Sequence, residues 1–207
     1  MQGVQLIHLW EDIWIRKQPL VEQRISALCG AAVTVHARAT QVKKISGKQA
    51  EFFFEQNHLA SHAGAKEYFA LIVNNEIMAA ASFSRRTIID RNGVSYHSYE
   101  LIRFCNKAGY LVVGGLSKLL NYFAKNNFPD DIMTYADREW SDGASLEKTG
   151  FILSGVTTPL KFWVHKDTYL RIPYHKAPSH DEEMKKKGYV LISNCGNLKY
   201  IKYYKFM

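Results

Sequence analysis

The stretch from residue 68 to residue 137 places the strongest limits on how this chain can fold. Two apolar runs meet at Asn74-Asn75, and both asparagines tolerate the left-handed backbone of a tight turn, which predicts a β-hairpin. Two further strands, "YHSYELIRFCN" and "DDIMTYAD", enclose the helix "LSKLLNYFAKNN", whose apolar residues recur at helical spacing. This order predicts an α+β fold, a mixed sheet with helices packed against it.

The two ends of the chain predict smaller appendages on this main domain. Residues 1–48 hold a strand-like run at "VQLIHLW", an amphipathic helix ending near Gly30 and a half-buried strand at "VTVHARATQVKKI". The main domain covers residues 49–172. Residues 173–207 predict a charged link or solvated helix, followed by a terminal hairpin that turns at Gly196-Asn197.

Composition indicates a globular protein, because 47% of the 207 residues are hydrophobic and 22% are charged. No apolar run reaches membrane-spanning length, and the amino terminus lacks the order of a signal peptide. We therefore expect a cytoplasmic protein with no membrane partner. The three cysteines, Cys29, Cys105 and Cys195, show neither zinc-ligand pairs nor a disulfide framework, so we expect reduced thiols that pack in the interior.

The net charge of +8 is compatible with two interpretations. It favours acidic partners such as nucleic acid, or it serves only solubility. An aromatic fraction of 13% favours nucleic acid slightly, because bases stack on exposed aromatic rings.

A glycine pair in "VVGGLSKLL" stands directly before the helix of the main domain. Gly114 and Gly115 would let the backbone approach a ligand, and the free N–H groups of the helix favour phosphate there. Ser117 and Lys118 would add contacts from the first turn. The spacing of a P-loop is absent, and glycines that only let the chain turn onto the sheet are the stronger interpretation of this motif taken alone.

The segment "TYADREWSDG" follows a predicted buried strand and is rich in side chains that can do chemistry. Tyr135 and Asp137 lie two residues apart, so they project to the same side, where Asp137 could accept a proton and Tyr135 donate one. Arg138 could hold an anion. For Glu139 and Asp142 we expect structural roles, as a surface ion pair and a helix cap.

Two further candidates lie in "YELIRF" and "FEQNHL". Glu100 and Arg103 are charged residues within a strand, and their odd spacing predicts opposite faces; function and a structural ion pair are about equally supported. Asn57 and His58 fall at a helix end, where a histidine is more often a capping residue than a catalyst. His58 and His62 form only a loose pair, so we predict no metal site.

The order of these motifs resembles the GNAT-type acyltransferase family over roughly residues 50 to 165. The family has a splayed central strand, here "YELIRF", then a glycine loop and helix for the pyrophosphate of acetyl-CoA, here "VVGGLSKLL". A strand ("IMTYAD"), a short helix ending in Gly-Phe ("LEKTGF") and closing strands follow. The family's loop usually opens with glutamine or arginine, whereas Leu111 or Val112 stands there in this chain.

Nearly the whole chain also resembles the carboxyl-terminal region of phage-type homing endonucleases with a very-short-patch-repair-like nuclease domain. The motifs that carry this likeness are "HLWEDIW", "ARATQVKKI", "FFFEQNHLASHAG", "ELIRFCNK", "YADREWSDG" and "GYVLISNCGN". The nuclease's catalytic residues would lie upstream of this chain, so we expect no DNA cleavage. The "YAD" turn is also similar to that of Mom-type phage proteins, which modify adenine in DNA and are themselves GNAT-like.

The resemblance implies an acyltransferase or related group-transfer enzyme that acts on nucleic acid and uses acetyl-CoA or another acyl-CoA. The donor would be held by Val112, Val113, Gly114, Gly115, Ser117 and Lys118. Asp137 or Glu100 would deprotonate the acceptor, Tyr135 would protonate the leaving group, and His58 is a further catalytic candidate. The substrate would contact Arg103, Arg138, Ser141 and Asn57, and Trp140 would stack on a base.

The main alternative is a non-catalytic GNAT-like module that tethers DNA for a nuclease partner. The missing glutamine or arginine of the loop favours it, whereas the intact "YAD" cluster favours the enzyme. A small-molecule acetyltransferase fits less well, because a basic surface does not suit a cationic substrate.

Overall fold

The computed structural model describes residues 6–204. The helices are Glu11–Leu28 (α1), Gly47–Asn57 (α2), Gly115–Asn127 (α3), Ala144–Glu147 (α4) and Asp181–Lys186 (α5). The first six strands are Val33–His36 (β1), Gln41–Lys44 (β2), Glu67–Val73 (β3), Glu76–Phe83 (β4), Thr87–Arg91 (β5) and Val94–Asn106 (β6). The remaining strands are Tyr110–Val113 (β7), Asp131–Asp137 (β8), Ile152–Val156 (β9), Lys161–His165 (β10), Arg171–Pro173 (β11), Tyr189–Ser193 (β12) and Asn197–Tyr203 (β13).

The main sheet is mixed, as predicted, and runs in the order β2-β3-β4-β6-β8-β13-β9, with β5 paired to the amino-terminal half of β6. All its pairings are antiparallel except that of β6 with β8. The predicted hairpin joins β3 and β4, and Asn74 and Asn75 have the positive φ angles (48° and 65°) that its tight turn requires.

Helices cover both faces of the sheet. The apolar stripe of α3 buries Leu119, Leu120 and Phe123 completely against one face, and the Phe123 ring stacks on Phe83 at 3.9 Å between centroids. On the other face, α2 packs Phe53 and Phe54 against the small alanines of the central strands. The small residues let α2 lie close to the sheet, and burial of this kind is the main source of stability in such a fold.

The ends of the chain differ from the prediction. The strand predicted at residues 4–10 lies partly outside the described residues, and residues 6–10 form no regular element before α1. The terminal hairpin is wrong: β12 pairs with β10 in a separate three-stranded sheet, whereas β13 inserts between β8 and β9 of the main sheet. The two strands therefore belong to different sheets, although Gly196 does provide a left-handed turn between them (φ 74°).

The segment predicted as one half-buried strand at residues 33–45 forms two. β2 joins the edge of the main sheet, while β1 pairs in parallel with β7 directly before the glycine loop. Cys105 packs beside the α2 core as expected, but Cys29 is exposed rather than packed. None of the helices in residues 6–204 is long and apolar enough to cross a membrane.

Candidate active site

An opening in the main sheet begins where β6 and β8 stop pairing. The two parallel strands pair at three positions, which end with Glu100 beside Met133. The Thr134 hydroxyl then donates a hydrogen bond to the Leu101 carbonyl at 2.8 Å, so a side chain replaces the backbone ladder. Beyond this point β6 pairs only with β4, and β8 only with β13. The splayed central strand implied by the resemblance is therefore present; we call this gap the β6–β8 opening.

A β-bulge in β6 changes which side chains face this opening. Leu101 pairs with Phe83 and Arg103 with Ser82, so Ile102 is an extra residue in the ladder. The extra residue brings Glu100 and Arg103 to the same face of the sheet, and the prediction of opposite faces is wrong for this reason. The Glu100 carboxylate and the Arg103 guanidinium interact there, and each favours the charged form of the other.

Glu100 is a half-buried carboxyl group at the start of the opening. Burial raises its pKa, and the nearby positive charge of Arg103 opposes the shift. Its backbone N–H donates to the Ser84 hydroxyl at 2.9 Å, and this bond fixes β6 at Glu100 to the residue that follows β4. A carboxyl group with a raised pKa beside an opening is suited to accept a proton near neutral pH.

Tyr135 lies on β8 and projects to the face that carries Glu100. Its side chain is 39% exposed, and burial together with the charge of Glu100 raises its pKa. Asp137 projects to the same side, as the spacing predicts, and both residues are exposed while Ala136 between them is buried. The Asp137 carboxylate accepts the backbone N–H of Glu139 at 2.9 Å, so it also holds the turn that follows the strand.

The turn after β8 is more buried than the sequence suggests. Glu139 is 5% exposed rather than part of a surface ion pair, and its carboxylate accepts the Trp10 indole N–H at 2.7 Å. Trp140 is 6% exposed and the Arg24 guanidinium covers its ring at 5.2 Å, so the predicted stacking of a base on this ring is not available in this arrangement. Burial of the Trp140 ring beneath Arg24 explains why this turn contains a tryptophan.

The polar residues of the same turn are held by backbone contacts. The exposed Arg138 donates to the Cys195 carbonyl at 2.9 Å, and the Ser141 hydroxyl accepts the Gly143 N–H at 3.1 Å. The N-cap of α4 is Gly143 rather than Asp142, although the Asp142 carboxylate does accept the N–H of Ala144 at 3.0 Å at the start of the helix. Arg138 is exposed and is the one positively charged residue of the three, so it is the one suited to a phosphate.

His58 follows α2 and lies near the opening in a positively charged setting. Burial and the charges of Arg103, Arg24 and Lys17 lower the pKa of His58 to about 3. Its Nδ1 accepts the Ala60 N–H at 3.1 Å, which leaves Nε2 as the protonated nitrogen. A neutral imidazole of this kind is a poor proton acceptor and can act as a hydrogen-bond donor.

The neighbouring predicted residues have structural contacts. The Asn57 side chain donates to the Phe53 carbonyl and accepts the Ala108 N–H, both at 2.7 Å, so it ties the end of α2 to the β6–β7 loop. Arg103 donates to the Ser61 carbonyl at 3.2 Å. Because α2 ends at Asn57, His58 and His62 do not share a helix face.

The glycine loop precedes α3, as predicted, but much of it is turned inward. A Cβ on Gly115 would lie 3.1 Å from Val112 and 3.2 Å from Leu71, so this glycine permits close packing. The Lys118 ammonium donates to the carbonyl oxygens of Ala37 (2.8 Å) and Thr40 (2.5 Å) and is engaged with the chain itself. Val112 is buried, while Val113, Gly114 and the partly exposed Ser117 remain accessible.

Three arginines that interact with or follow residues of the opening were not among the predicted site residues. Arg24 lies on α1, where the charge of Asp137 favours its charged form. Arg85 and Arg86 are exposed and directly follow Ser84, the residue that holds the Glu100 backbone. The adjacent pair after a predicted strand could have been recognised as a basic patch, whereas the position of Arg24 depends on how α1 packs.

No protein-family model matches the sequence, and no protein of curated function matches it. Among solved structures, the ribosomal-protein-S18-alanine N-acetyltransferase from Escherichia coli matches 81% of this chain and 96% of its own, with 11% identity and a TM-score of 0.48. A GNAT family acetyltransferase from Elizabethkingia anophelis, solved with acetyl-CoA bound, matches 80% of this chain and 98% of its own, with 11% identity and a TM-score of 0.46.

The ribosomal-protein-S5-alanine acetyltransferase from Vibrio fischeri matches 80% of this chain and 93% of its own, with 15% identity and a TM-score of 0.47. At these identities and TM-scores, the likeness concerns the path of the backbone and assigns no role to any residue. The chemistry of this chain follows instead from the geometry of its own β6–β8 opening.

Proposed function

We propose that this protein is a group-transfer enzyme that moves an acyl group from an acyl-CoA to nucleic acid, with its reacting centre at the β6–β8 opening. The observation that carries the proposal is the junction where the two parallel strands separate. There Glu100 and Tyr135, two groups able to exchange protons, share one face of the sheet next to a gap.

Glu100 would act as the general base. Burial raises its pKa, so it is a stronger base than an ordinary surface carboxylate, and the positive charge of Arg103 favours its ionised form. In the transfer step it takes the proton from an acceptor amine while the amine nitrogen forms its bond to the acyl carbon. Asp137 is the second candidate for this role, although its carboxylate already accepts a backbone N–H.

Tyr135 would act as the general acid. Burial and the negative charge of Glu100 raise its pKa, so the phenol stays protonated at neutral pH and can give its proton to the departing sulfur. Its side chain is exposed enough to reach a ligand in the opening. One proton therefore moves from the acceptor amine to Glu100, and one moves from Tyr135 to the sulfur as the carbon–sulfur bond breaks.

The acyl-CoA would supply an activated thioester. The groups that can hold its pyrophosphate are the accessible backbone of Val113 and Gly114 and the partly exposed Ser117, at the positive end of the α3 dipole. Lys118 would not contribute while it is bonded to the Ala37 and Thr40 carbonyls. Binding of the pyrophosphate would therefore depend on the backbone N–H groups rather than on a lysine.

Nucleic acid is the proposed acceptor because exposed arginines adjoin residues of the opening along the chain. Arg85 and Arg86 follow the serine that anchors Glu100, and Arg138 is exposed at the carboxyl end of β8. These side chains could hold phosphates on either side of an acceptor base. The net charge of +8 would strengthen binding to a polyanion through release of counterions.

A second function, a DNA-binding module without catalysis, is favoured by a separate observation. Lys118, in the first turn of α3, is engaged with backbone carbonyls, and the backbone at Gly115 lies close to Val112 and Leu71. A domain that tethers DNA would need neither a donor loop nor a base at Glu100. The two proposals therefore differ in whether an acyl-CoA binds.

Thermal unfolding in the presence of acetyl-CoA, free CoA and a short DNA duplex tests the proposal. A ligand at about a hundred times its Kd should add roughly 2.7 kcal/mol of stability, which is a visible increase in Tm. We expect both acetyl-CoA and DNA to raise the Tm. Stabilisation by DNA alone would overturn the acyltransferase and leave the binding module, and stabilisation by acetyl-CoA alone would overturn the nucleic-acid acceptor.

A further inference from the structure

Three potential metal ligands from distant parts of the chain meet beside the turn that follows β8. They are His8 before α1, Glu139 in the turn itself and Cys195 just before β13. One ligand atom from each, an imidazole nitrogen, a carboxylate oxygen and a sulfur, lies within 4.8 Å of the other two. We propose that these three residues form a binding site for a divalent cation of the zinc class.

The spacing of two of the ligands matches a tetrahedral zinc centre. Bond lengths of about 2.3 Å to sulfur and about 2.05 Å to nitrogen, at an angle of about 109°, place the two ligand atoms about 3.6 Å apart. His8 Nδ1 and Cys195 Sγ lie 3.6 Å apart. The separation of these two atoms is therefore that of two ligands on one cation.

The third ligand needs only a small adjustment. A tetrahedral centre also requires the carboxylate oxygen to lie about 3.6 Å from the other two ligand atoms. The three atoms lie within 4.8 Å of one another, so the carboxylate oxygen would have to move by at most about 1 Å. Rotation of a terminal carboxylate covers such a distance. Glu139 has two oxygens, so it can keep its bond to the Trp10 indole through one and offer the other to the cation.

The surroundings of Glu139 support a cation rather than an accidental cluster. Glu139 is only 5% exposed, and a carboxylate buried to this extent needs a partner for its charge. The indole bond from Trp10 at 2.7 Å orients the carboxylate, as outer-shell partners orient the ligands of zinc sites. The His8 backbone also donates to the Glu139 carbonyl at 3.0 Å, which fixes the two residues beside each other.

The set of donor atoms selects the class of metal. A thiolate with an imidazole suits zinc and excludes magnesium or calcium, which prefer sites made of oxygen. With three protein ligands, one position stays open for water or another small ligand. The cation would fasten the segment before α1 to the turn after β8 and to the start of β13, three regions that lie far apart in the sequence.

The test uses the full chain without a histidine tag, with Zn²⁺ affinity measured by competition with a chromophoric chelator. We expect one Zn²⁺ per chain. Trp10→Phe removes only an orienting partner and should weaken binding about 10- to 100-fold, and Cys195→Ala and His8→Gln should weaken it further. Cys29→Ala, which removes an exposed cysteine elsewhere, is the matched control and should bind Zn²⁺ like the wild type.

Cobalt provides a readout specific to the sulfur ligand. Co²⁺ bound at the site should show a sulfur-to-metal charge-transfer band that Cys195→Ala loses and Cys29→Ala keeps. The proposal is overturned by a wild-type chain that binds no zinc, by a cobalt complex that lacks the band, or by unchanged affinity in Cys195→Ala. His8 is exposed, so His8→Gln tests the site even if the cysteine variant folds poorly.

Discussion

The glycine loop before α3 and the β6–β8 opening are the two regions where the sequence suggests chemistry, and the structure treats them differently. In the glycine loop, Lys118 is bonded to the Ala37 and Thr40 carbonyls, and Gly115 allows close packing against Leu71. At the opening, the backbone ladder ends, and Glu100 and Tyr135 are left beside a gap with raised pKa values. The motif that looks like a ligand site is largely engaged with the protein, whereas the Tyr135 side chain is exposed at the opening.

This contrast has a physical cause. Glycine and lysine before a helix satisfy both packing and phosphate binding, so their presence does not decide between the two. A carboxyl group inside a strand is costly to bury unless something compensates it. Glu100 has Arg103 on its own face, yet its pKa remains raised, and a protein tolerates such a group mainly where it has a use.

The largest expected effect comes from Glu100→Gln, which keeps the shape of the side chain and removes the base. Loss of a general base should lower the rate of acetyl transfer from acetyl-CoA to duplex DNA by roughly 10²- to 10⁴-fold. Free CoA released over time measures the rate, and an unchanged Tm shows that the fold is intact.

Asp137→Asn is the matched comparison, because it makes the same chemical change on the neighbouring strand. We expect a smaller loss of rate than for Glu100→Gln, since the Asp137 carboxylate already serves the turn by accepting the Glu139 N–H. A larger loss in Asp137→Asn would move the base to Asp137.

The next effect concerns stability rather than rate. Lys118→Met removes the ammonium donor of the Thr40 carbonyl, while the Ala37 carbonyl still accepts the N–H and the hydroxyl of Thr40. The loss should cost about 1–3 kcal/mol of unfolding free energy. Lys125→Met, at an exposed lysine of the same helix, should cost less, as measured by urea denaturation. If Lys118→Met instead keeps its stability and loses affinity for acetyl-CoA, the lysine belongs to a donor site and the contrast between the two regions disappears.

A similar size of effect is expected at Gly114, whose φ of 76° lies in the left-handed region. Gly114→Ala should cost about 1–2 kcal/mol because a side chain strains this conformation. Gly64→Ala is the control, since Gly64 has ordinary φ and open space around its Cα. Equal stability of the two variants in urea denaturation would show that the loop does not need its left-handed residue.

A further expected effect is a dependence of stability on pH. His58 has a pKa of about 3 in the folded protein, below its value near 6.5 when unfolded. The unfolded chain therefore binds the proton more readily, so this contribution is complete above about pH 6.5 and is lost as the pH falls toward 3. His58→Gln should reduce the loss of urea stability between pH 7 and pH 4.5, whereas His36→Gln at an exposed site should not.

The sequence predicted the mixed sheet because its helices and strands have clear periodicity, as in the buried stripe of α3 and the asparagine turn between β3 and β4. It failed at the carboxyl terminus, because β12 and β13 are adjacent in sequence but pair with strands in different sheets. Alternation of side chains identifies a strand and not its partner.

Part of the candidate site was predictable because side chains alternate along a strand. The spacing of Tyr135 and Asp137 gives their common face directly. The common face of Glu100 and Arg103 depends on a bulge at Ile102, which no pattern of residues indicated. The proximity of His8, Glu139 and Cys195 arises only from tertiary packing, so a metal site could not be predicted from their spacing.

Hydrogen–deuterium exchange with and without acetyl-CoA tests most directly whether the β6–β8 opening is the reacting centre, and it requires no knowledge of the acceptor. The account predicts slower exchange in residues 101–106 of β6 and 134–137 of β8, together with residues 113–117 at the junction of β7 and α3. Protection that leaves both strands unchanged, or no protection at saturating acetyl-CoA, would contradict the account.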